Sequence, residues 1–141
     1  MGEKCCRIYM MKENKKIEKL LKTLVRKKLF TFPQKGYTEG VGVPTKQGVY
    51  IIYSPQNIVV HVGRTQRTKR GLRQRLNNHL LGQSSFVKEY LKGRESKLRN
   101  GYKFRYLIVE DNRERVLLEA LTIGKLCPKH LGLGDKTITS K

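Results

Sequence analysis

The sequence contains few of the features that mark secreted or membrane proteins. It has only three cysteines, Cys5, Cys6 and Cys127, and no tryptophan. An odd cysteine count with two adjacent members argues against a disulfide framework, and the spacing does not match a metal site. No apolar run approaches the length of a membrane span, and no signal peptide is recognisable. We therefore expect a cytoplasmic protein without a membrane partner.

Acidic residues are scarce, and one long segment has none. The chain carries 31 Lys and Arg against 11 Asp and Glu, a formal net charge of +20. Folding does not require this excess, and mutual repulsion opposes it. A nucleic-acid partner explains it, although a basic surface that binds RNA only weakly is an alternative. Between Gly40 and Lys88 there are eight Lys or Arg and no acid, and six of the eight fall between Arg64 and Arg75.

The segment without acids contains the clearest secondary-structure pattern. Two apolar runs, Val49–Tyr53 and Ile58–Val62, are separated by Ser-Pro-Gln-Asn and predict a β-hairpin. Leucines spaced four residues apart from Leu72 onward predict a helix after it. Arg75 and His79 are also four apart, so both project from a neighbouring face of that helix. The combination is suited to phosphate chemistry.

The remaining elements flank this centre. Helical spacing predicts a helix over Lys12–Leu29, whose lysine-rich outer face is either simply solvated or helps to hold a phosphate backbone. Phe30–Gln47 is punctuated by Pro and Gly and predicts a long connecting loop with at most a short strand. Alternation over Tyr102–Val109 predicts a third strand, and Arg113–Leu126 a final helix. The hydrophobic content of 38% suffices for a single core.

One carboxylate lies in an apolar setting. Glu119 falls within Val116–Ile123, the most apolar run of the C-terminal half. Desolvating a charge is costly, so such a carboxylate is usually paired or bound to metal. The alternatives are an ion pair with Arg115 at i−4, or exposure on a narrow polar edge. If a divalent metal is used, Glu119 is the candidate ligand because the hairpin region has no acid, and Glu114 is the second choice.

The ordered motifs resemble the signature of the GIY-YIG endonuclease family. Gly48-Val49-Tyr50 is followed after ten residues by His61-Val62-Gly63, and then by Arg75 and His79. His61 stands where the family usually has a second tyrosine. The family often has an asparagine shortly after a late proline, whereas here Lys129, His130 and Leu131 follow Pro128.

This resemblance implies a fold and an activity. The fold is expected to be α/β (α+β): a small antiparallel three-stranded sheet flanked by helices. Residues 1–45 would form a basic helix and connector, 46–131 the GIY-YIG-like domain and 132–141 a polar tail. The activity would be metal-dependent hydrolysis of phosphodiester bonds in duplex DNA, of restriction, mobile-element or repair type, with Mg²⁺ or Mn²⁺ as cofactor. No protein partner is indicated.

The resemblance also implies roles for individual residues. Tyr50 would be the general base, assisted or replaced by His79, and positive surroundings would have to help ionise it. Arg75 would offset charge on the phosphoryl oxygens, and Glu119 would anchor the metal. His61 or Arg64 would orient the nucleophile or the phosphate.

Five basic residues are candidates for contact with the DNA backbone. These are Arg64, Arg67, Lys69, Arg70 and Arg73. The alternative to an enzyme is a GIY-YIG-like module that binds DNA or RNA but has lost catalysis, with His61 as the first sign of the loss.

Overall fold

The described part of the chain folds into a four-stranded antiparallel sheet with helices on both faces. The computed structural model describes residues 3–34 and 40–132, with side chains from residue 12 onward. The strands are β1 (Phe30–Thr31), β2 (Gly48–Tyr53), β3 (Val59–Arg64) and β4 (Lys103–Ile108), in the order β1-β4-β2-β3 across the sheet. The helices are α1 (Glu3–Arg26), α2 (Gly71–Leu80) and α3 (Asn112–Leu126). The predicted α+β class with an antiparallel sheet is confirmed.

The prediction of three strands is wrong by one. The additional strand is β1, which lies in the segment predicted to be mainly connector. It has two residues, and Phe30 pairs with Phe104 of β4. The two rings stack with their centroids 5.6 Å apart. A pair of residues is too short for alternation to be detected, so the sequence carries no pattern for this strand.

Strand β2 lies in the interior of the sheet, and every one of its residues is buried. Tyr50 and Ile52 pack into the core on the side of α2. Val49 and Ile51 pack on the opposite side, into the core that α1 and α3 complete. Because β2 is covered on both faces, its sequence is a continuous apolar run in which polar residues do not alternate with apolar ones. The two faces therefore have separate cores, and the α2 side carries Tyr50.

Helix α1 packs on the face of the sheet that α3 also covers. It begins at Glu3, earlier than the predicted start at Lys12. Ile17 and Leu24 are buried in the core shared with α3. At its C-terminal end the carbonyl of Val25 accepts a hydrogen bond from the Arg105 guanidinium of β4. The division into residues 1–45, 46–131 and 132–141 stays a prediction, and residues 133–141 lie outside the described part of the chain.

The chain that follows α3 returns along the edge of the sheet. Asp111 caps α3 by accepting a hydrogen bond from Glu114 N at 2.9 Å. Cys127 ends the helix with a left-handed backbone (φ 47°), and Pro128 follows. Lys129 N then donates to Val59 O at 3.3 Å, and His130 N to Val60 O at 2.9 Å. This segment places His130 beside β3.

Two short helices connect α2 to β4. They are a π-helical turn, Phe86–Tyr90, and a 3-10 helix, Glu95–Arg99. Phe86 and Leu98 are fully buried against the α2 face of the sheet. None of the helices in the described ranges combines the length and the apolar character needed to cross a membrane.

Candidate active site

The hairpin and α2 bring Tyr50 and His79 into direct contact. The Tyr50 hydroxyl lies 2.7 Å from His79 Nε2, and both side chains are fully buried. Gly63 is the register partner of Tyr50 on β3. A Cβ at Gly63 would overlap the Tyr50 hydroxyl and ring, so the position must be glycine for the tyrosine to stay where it is.

The other nitrogen of His79 is also occupied. His79 Nδ1 lies 2.7 Å from Ser84 Oγ, which in turn accepts the backbone N–H of Val87 at 3.2 Å. Burial lowers the pKa of His79 to about 3, and the nearby Arg75 and His130 lower it further. The imidazole is therefore neutral near pH 7, with one nitrogen protonated and the other free to accept a proton.

The expected ionisation of Tyr50 is not favoured in this environment. Burial raises the pKa of Tyr50 to about 12, and the neighbouring Arg75 guanidinium opposes the rise without cancelling it. The reason is that a buried phenolate loses the water that would solvate its charge. Tyr50 keeps its proton at neutral pH, so any role as a base requires that proton to move to another group.

His61 lies next to this pair and completes a cluster of the chain's three histidines. Its ring centroid is 5.3 Å from that of His79 and 5.2 Å from that of His130, and it stacks on Phe86 at 4.9 Å. His61 Nδ1 lies 3.1 Å from His130 Nδ1. Burial lowers the pKa of His61 well below its ordinary value, and the neighbouring His79, His130 and Arg75 lower it further.

A cavity of about 310 Å³ opens in front of the cluster. Four of the predicted site residues line it: His61, Arg64, Arg75 and Glu119. A second hollow of about 180 Å³ shares Arg64, Gln66 and Arg75 with the first. Gly63 is in the wall of the larger cavity, with the Tyr50 hydroxyl directly behind it. The structure thus brings the end of β3, α2 and α3 together around one opening.

Glu119 pairs with Arg64 and not with Arg115. Arg64 Nε lies 3.3 Å from Glu119 Oε1, and about a quarter of each side chain is exposed (23% and 26%). The Arg115 guanidinium is instead bound to backbone carbonyls, those of Thr65 at 3.0 Å and Val109 at 2.9 Å. Burial raises the pKa of Glu119, whereas Arg64 and Arg75 oppose the rise. The carboxylate therefore lies in the cavity wall with incomplete compensation of its charge.

Comparison with known proteins gives matches among solved structures. No family model and no curated protein matches the sequence. The magnesium-bound GIY-YIG N-terminal endonuclease domain of UvrC from Thermotoga maritima is 26% identical, and the match covers 62% of this chain and 85% of that chain at a TM-score of 0.46. Two point mutants of that domain, each bound to its catalytic divalent cation, are 26% identical over 62% of this chain and 84% of theirs, with TM-scores of 0.46 and 0.45. The chain resembles GIY-YIG endonuclease domains.

The two positions at which the chain differs from the GIY-YIG motif pattern are in contact with each other. His61 stands at the position of the usual second tyrosine, and His130 lies in the segment where the family often has an asparagine. Their Nδ1 atoms are 3.1 Å apart. The replacement on β3 is therefore matched by a hydrogen-bond partner on the segment that follows α3.

The GIY-YIG resemblance implies a divalent cation, and one carboxylate in the cavity wall fits it. Among the described residues no group of three or more His, Cys, Asp or Glu could hold a metal. Glu114, the second choice, is paired with Lys16 of α1. Glu119 remains, a single partly buried carboxylate beside an open cavity. One carboxylate with room for water and phosphate oxygens fits Mg²⁺, which usually keeps several waters and binds few protein ligands.

The predicted DNA-binding residues fall into three places. Arg64 is in the cavity. Arg67, Lys69 and Arg70 are exposed in the loop between β3 and α2, and we refer to these three as the basic loop. Arg73 is on α2, where its Nε donates to the Val43 carbonyl at 2.7 Å and so ties the connector to the helix.

Sequence reasoning missed three residues of the site. They are Ser84, Glu89 and His130, and each contacts a histidine of the cluster or belongs to it. Glu89 Oε2 lies 2.9 Å from His130 Nε2. A signal was available, because the chain has only three histidines and two of them were already candidates.

Proposed function

We propose that the protein is a metal-dependent endonuclease that hydrolyses phosphodiester bonds in duplex DNA. One observation carries the proposal: a single cavity is lined by His61, Arg64, Arg75 and Glu119, with the Tyr50–His79 pair behind its wall. Each group that hydrolysis of a phosphodiester needs is represented there. These are a proton acceptor, a cation to offset developing charge and a carboxylate for a metal.

Phosphate binding is the role of the arginines. Arg64 and Arg75 line both hollows, and the basic loop continues the positive surface outward from them. Guanidinium groups bind phosphate oxygens with paired hydrogen bonds, which fixes the orientation of the phosphate. Arg75 is also close enough to Tyr50 to affect its pKa. It can therefore offset charge on the phosphoryl group next to the proton-transfer pair.

Proton transfer follows the hydrogen bond between Tyr50 and His79. When water attacks phosphorus, its proton moves to the Tyr50 oxygen while the phenolic proton moves to His79 Nε2, 2.7 Å away. Ser84 Oγ accepts the N–H of His79 Nδ1 and so stabilises the tautomer that this transfer requires. Burial makes the imidazolium costly, and a bound phosphodiester reduces that cost because its negative charge favours the protonated ring.

Glu119 would hold the divalent cation, Mg²⁺ or Mn²⁺. A cation bound there supplies positive charge to the phosphoryl and leaving-group oxygens. Arg64, 3.3 Å from the Glu119 carboxylate, keeps that side chain directed at the cavity. His61, in the same wall, orients the incoming water.

The proposal is tested by incubating the purified protein with plasmid DNA and Mg²⁺ or Mn²⁺. We expect nicked or linear products, and none when a chelator is present. Plasmid with and without ultraviolet lesions separates a repair nuclease from a restriction or mobile-element enzyme. Protein that binds DNA but leaves every substrate intact with both metals is instead an inactive binding module, and the proposal fails.

Affinity for duplex DNA is expected to fall steeply as salt rises. Each phosphate contact contributes about −0.9 to the slope of log K against log salt concentration. Replacing Arg67, Lys69 and Arg70 of the basic loop by glutamine should reduce the magnitude of that slope by about two to three units. Fluorescence anisotropy with a labelled duplex at several salt concentrations measures it.

A matched control comes from α1. Lys15, Lys19 and Lys22 are exposed on that helix, and their replacement by glutamine removes the same charge. If the outer face of α1 is simply solvated, the slope stays as in the wild type. A salt dependence that is flat in the wild type would contradict a phosphate-dominated interface.

A further inference from the structure

Three side chains form a continuous line of hydrogen bonds that ends at the cavity. Glu89 Oε2 lies 2.9 Å from His130 Nε2, and His130 Nδ1 lies 3.1 Å from His61 Nδ1. His61 and His130 are almost completely buried, whereas 18% of the Glu89 side chain is exposed. The fourth nitrogen of the two rings, His61 Nε2, is buried and has no hydrogen-bond partner within the described residues.

Three separate elements are needed to build this line. His61 is on β3, Glu89 is on the π-helical turn, and His130 is on the segment that pairs its backbone with β3. Phe86 of the same π-helical turn stacks on the His61 ring at 4.9 Å. The ring is thus held by stacking on one face and by a hydrogen bond at Nδ1.

The chemistry of the line determines where its protons lie. An ionised carboxylate only accepts hydrogen bonds, so His130 Nε2 carries the proton shared with Glu89. A neutral His130 has a lone pair at Nδ1 and accepts the N–H of His61 Nδ1. The second nitrogen of His61, Nε2, is then left with a lone pair.

We propose that Glu89 and His130 are positioning residues that hold His61 in its Nδ1–H tautomer, so that the Nε2 lone pair accepts a hydrogen bond from the attacking water. The proposal rests on the nuclease function proposed above. His61 lines the same cavity as Glu119, and Nε2 is the one polar atom of its ring without a partner in the described structure. His61 takes up no proton in this role, because the proton of the water passes to Tyr50.

The tautomer can be measured without any reference to activity. Long-range proton–nitrogen NMR correlations distinguish protonated from unprotonated imidazole nitrogens in the full-length protein. We expect His61 to be protonated at Nδ1 and His130 at Nε2. In Glu89→Ala the His61 signals should shift toward a mixture of tautomers, since His130 has lost the acceptor that fixes it. His61 protonated at Nε2 in the wild type would overturn the proposal.

Kinetics supply the second measurement. Glu89→Ala should lower kcat by about 10-fold to 100-fold, with little change in KM. Losses of this size are usual when the hydrogen-bond partner of a metal-binding residue is removed. Glu89→Gln should recover most of the rate, because its amide oxygen accepts the same hydrogen bond. Glu95→Ala is the control, since it removes an exposed glutamate from the next short helix.

The two proposals fail in different ways. A wild-type protein that cuts no DNA removes the nuclease function, whereas the NMR spectra still decide whether Glu89 and His130 set the tautomer of His61. A Glu89→Ala protein that is folded, active and unchanged in its His61 signals refutes the positioning role and leaves the nuclease function intact.

Discussion

Glu119→Gln is expected to abolish metal-dependent cleavage of DNA while the protein remains folded. The substitution keeps the size of the side chain and removes the charge that would hold the cation. A metal acting as a Lewis acid contributes several kcal/mol, and each ~1.4 kcal/mol corresponds to tenfold in rate, so we expect a loss of at least about 100-fold. DNA binding should persist or tighten, because a negative charge beside the phosphates has gone.

Glu114→Gln is the control for this experiment. Glu114 is on the same helix and is also ion-paired, but its partner is Lys16 of α1, away from the cavity. Cleavage, DNA affinity and thermal unfolding should be measured on the same preparation of each variant. A Glu119→Gln protein that cuts at nearly the wild-type rate contradicts the metal role. One that fails to fold shows instead that the pairing with Arg64 is structural.

Tyr50→Phe is expected to reduce cleavage by about 10²-fold to 10⁴-fold, the range for loss of general acid–base catalysis. The phenyl ring fills the same space against Gly63, so folding should be preserved. KM should change little because Arg64 and Arg75, which line the cavity, bind the phosphate, and the Tyr50 hydroxyl does not. Single-turnover rates with saturating protein separate the chemical step from binding. A variant with wild-type single-turnover rates would rule out Tyr50 as the proton acceptor.

The pH profile of the cleavage rate distinguishes the relay, in which a proton passes from Tyr50 to His79, from a mechanism in which Tyr50 is ionised before the reaction. In the relay Tyr50 begins protonated and His79 begins neutral, and their pKa values of about 12 and about 3 keep both so through the neutral range. These two groups should therefore impose no slope on the rate between about pH 6 and about pH 9. If Tyr50 had to ionise first, the rate would instead rise about tenfold per pH unit over that range. Such a rise, absent from Tyr50→Phe, would contradict the relay.

The parts of the fold that follow local rules could be predicted from the sequence. The paired apolar runs around Ser-Pro-Gln-Asn predicted β2 and β3, and the leucine spacing from Leu72 predicted α2. The order of the motifs then placed Tyr50 and His79 as joint candidates, and the structure brings them within a hydrogen bond.

Features that depend on packing between distant segments could not be predicted. The i−4 rule suggested Arg115 as the partner of Glu119, but the Arg115 guanidinium is bound by carbonyls at the ends of two strands. The high pKa of Tyr50 arises from burial beneath elements far away in sequence, which outweighs the nearby guanidinium. His130 reaches the site only because the segment after α3 pairs with β3.

That segment also sets the order in which the site is completed during translation. Ribosomes make a chain from its amino end, and domains fold as the chain emerges. The hairpin, α2 and Glu119 all precede His130 in the sequence, so they leave the ribosome first. Until Lys129 and His130 join β3, His61 lacks its partner. The cluster of three histidines therefore cannot be completed until residue 130 has left the ribosome.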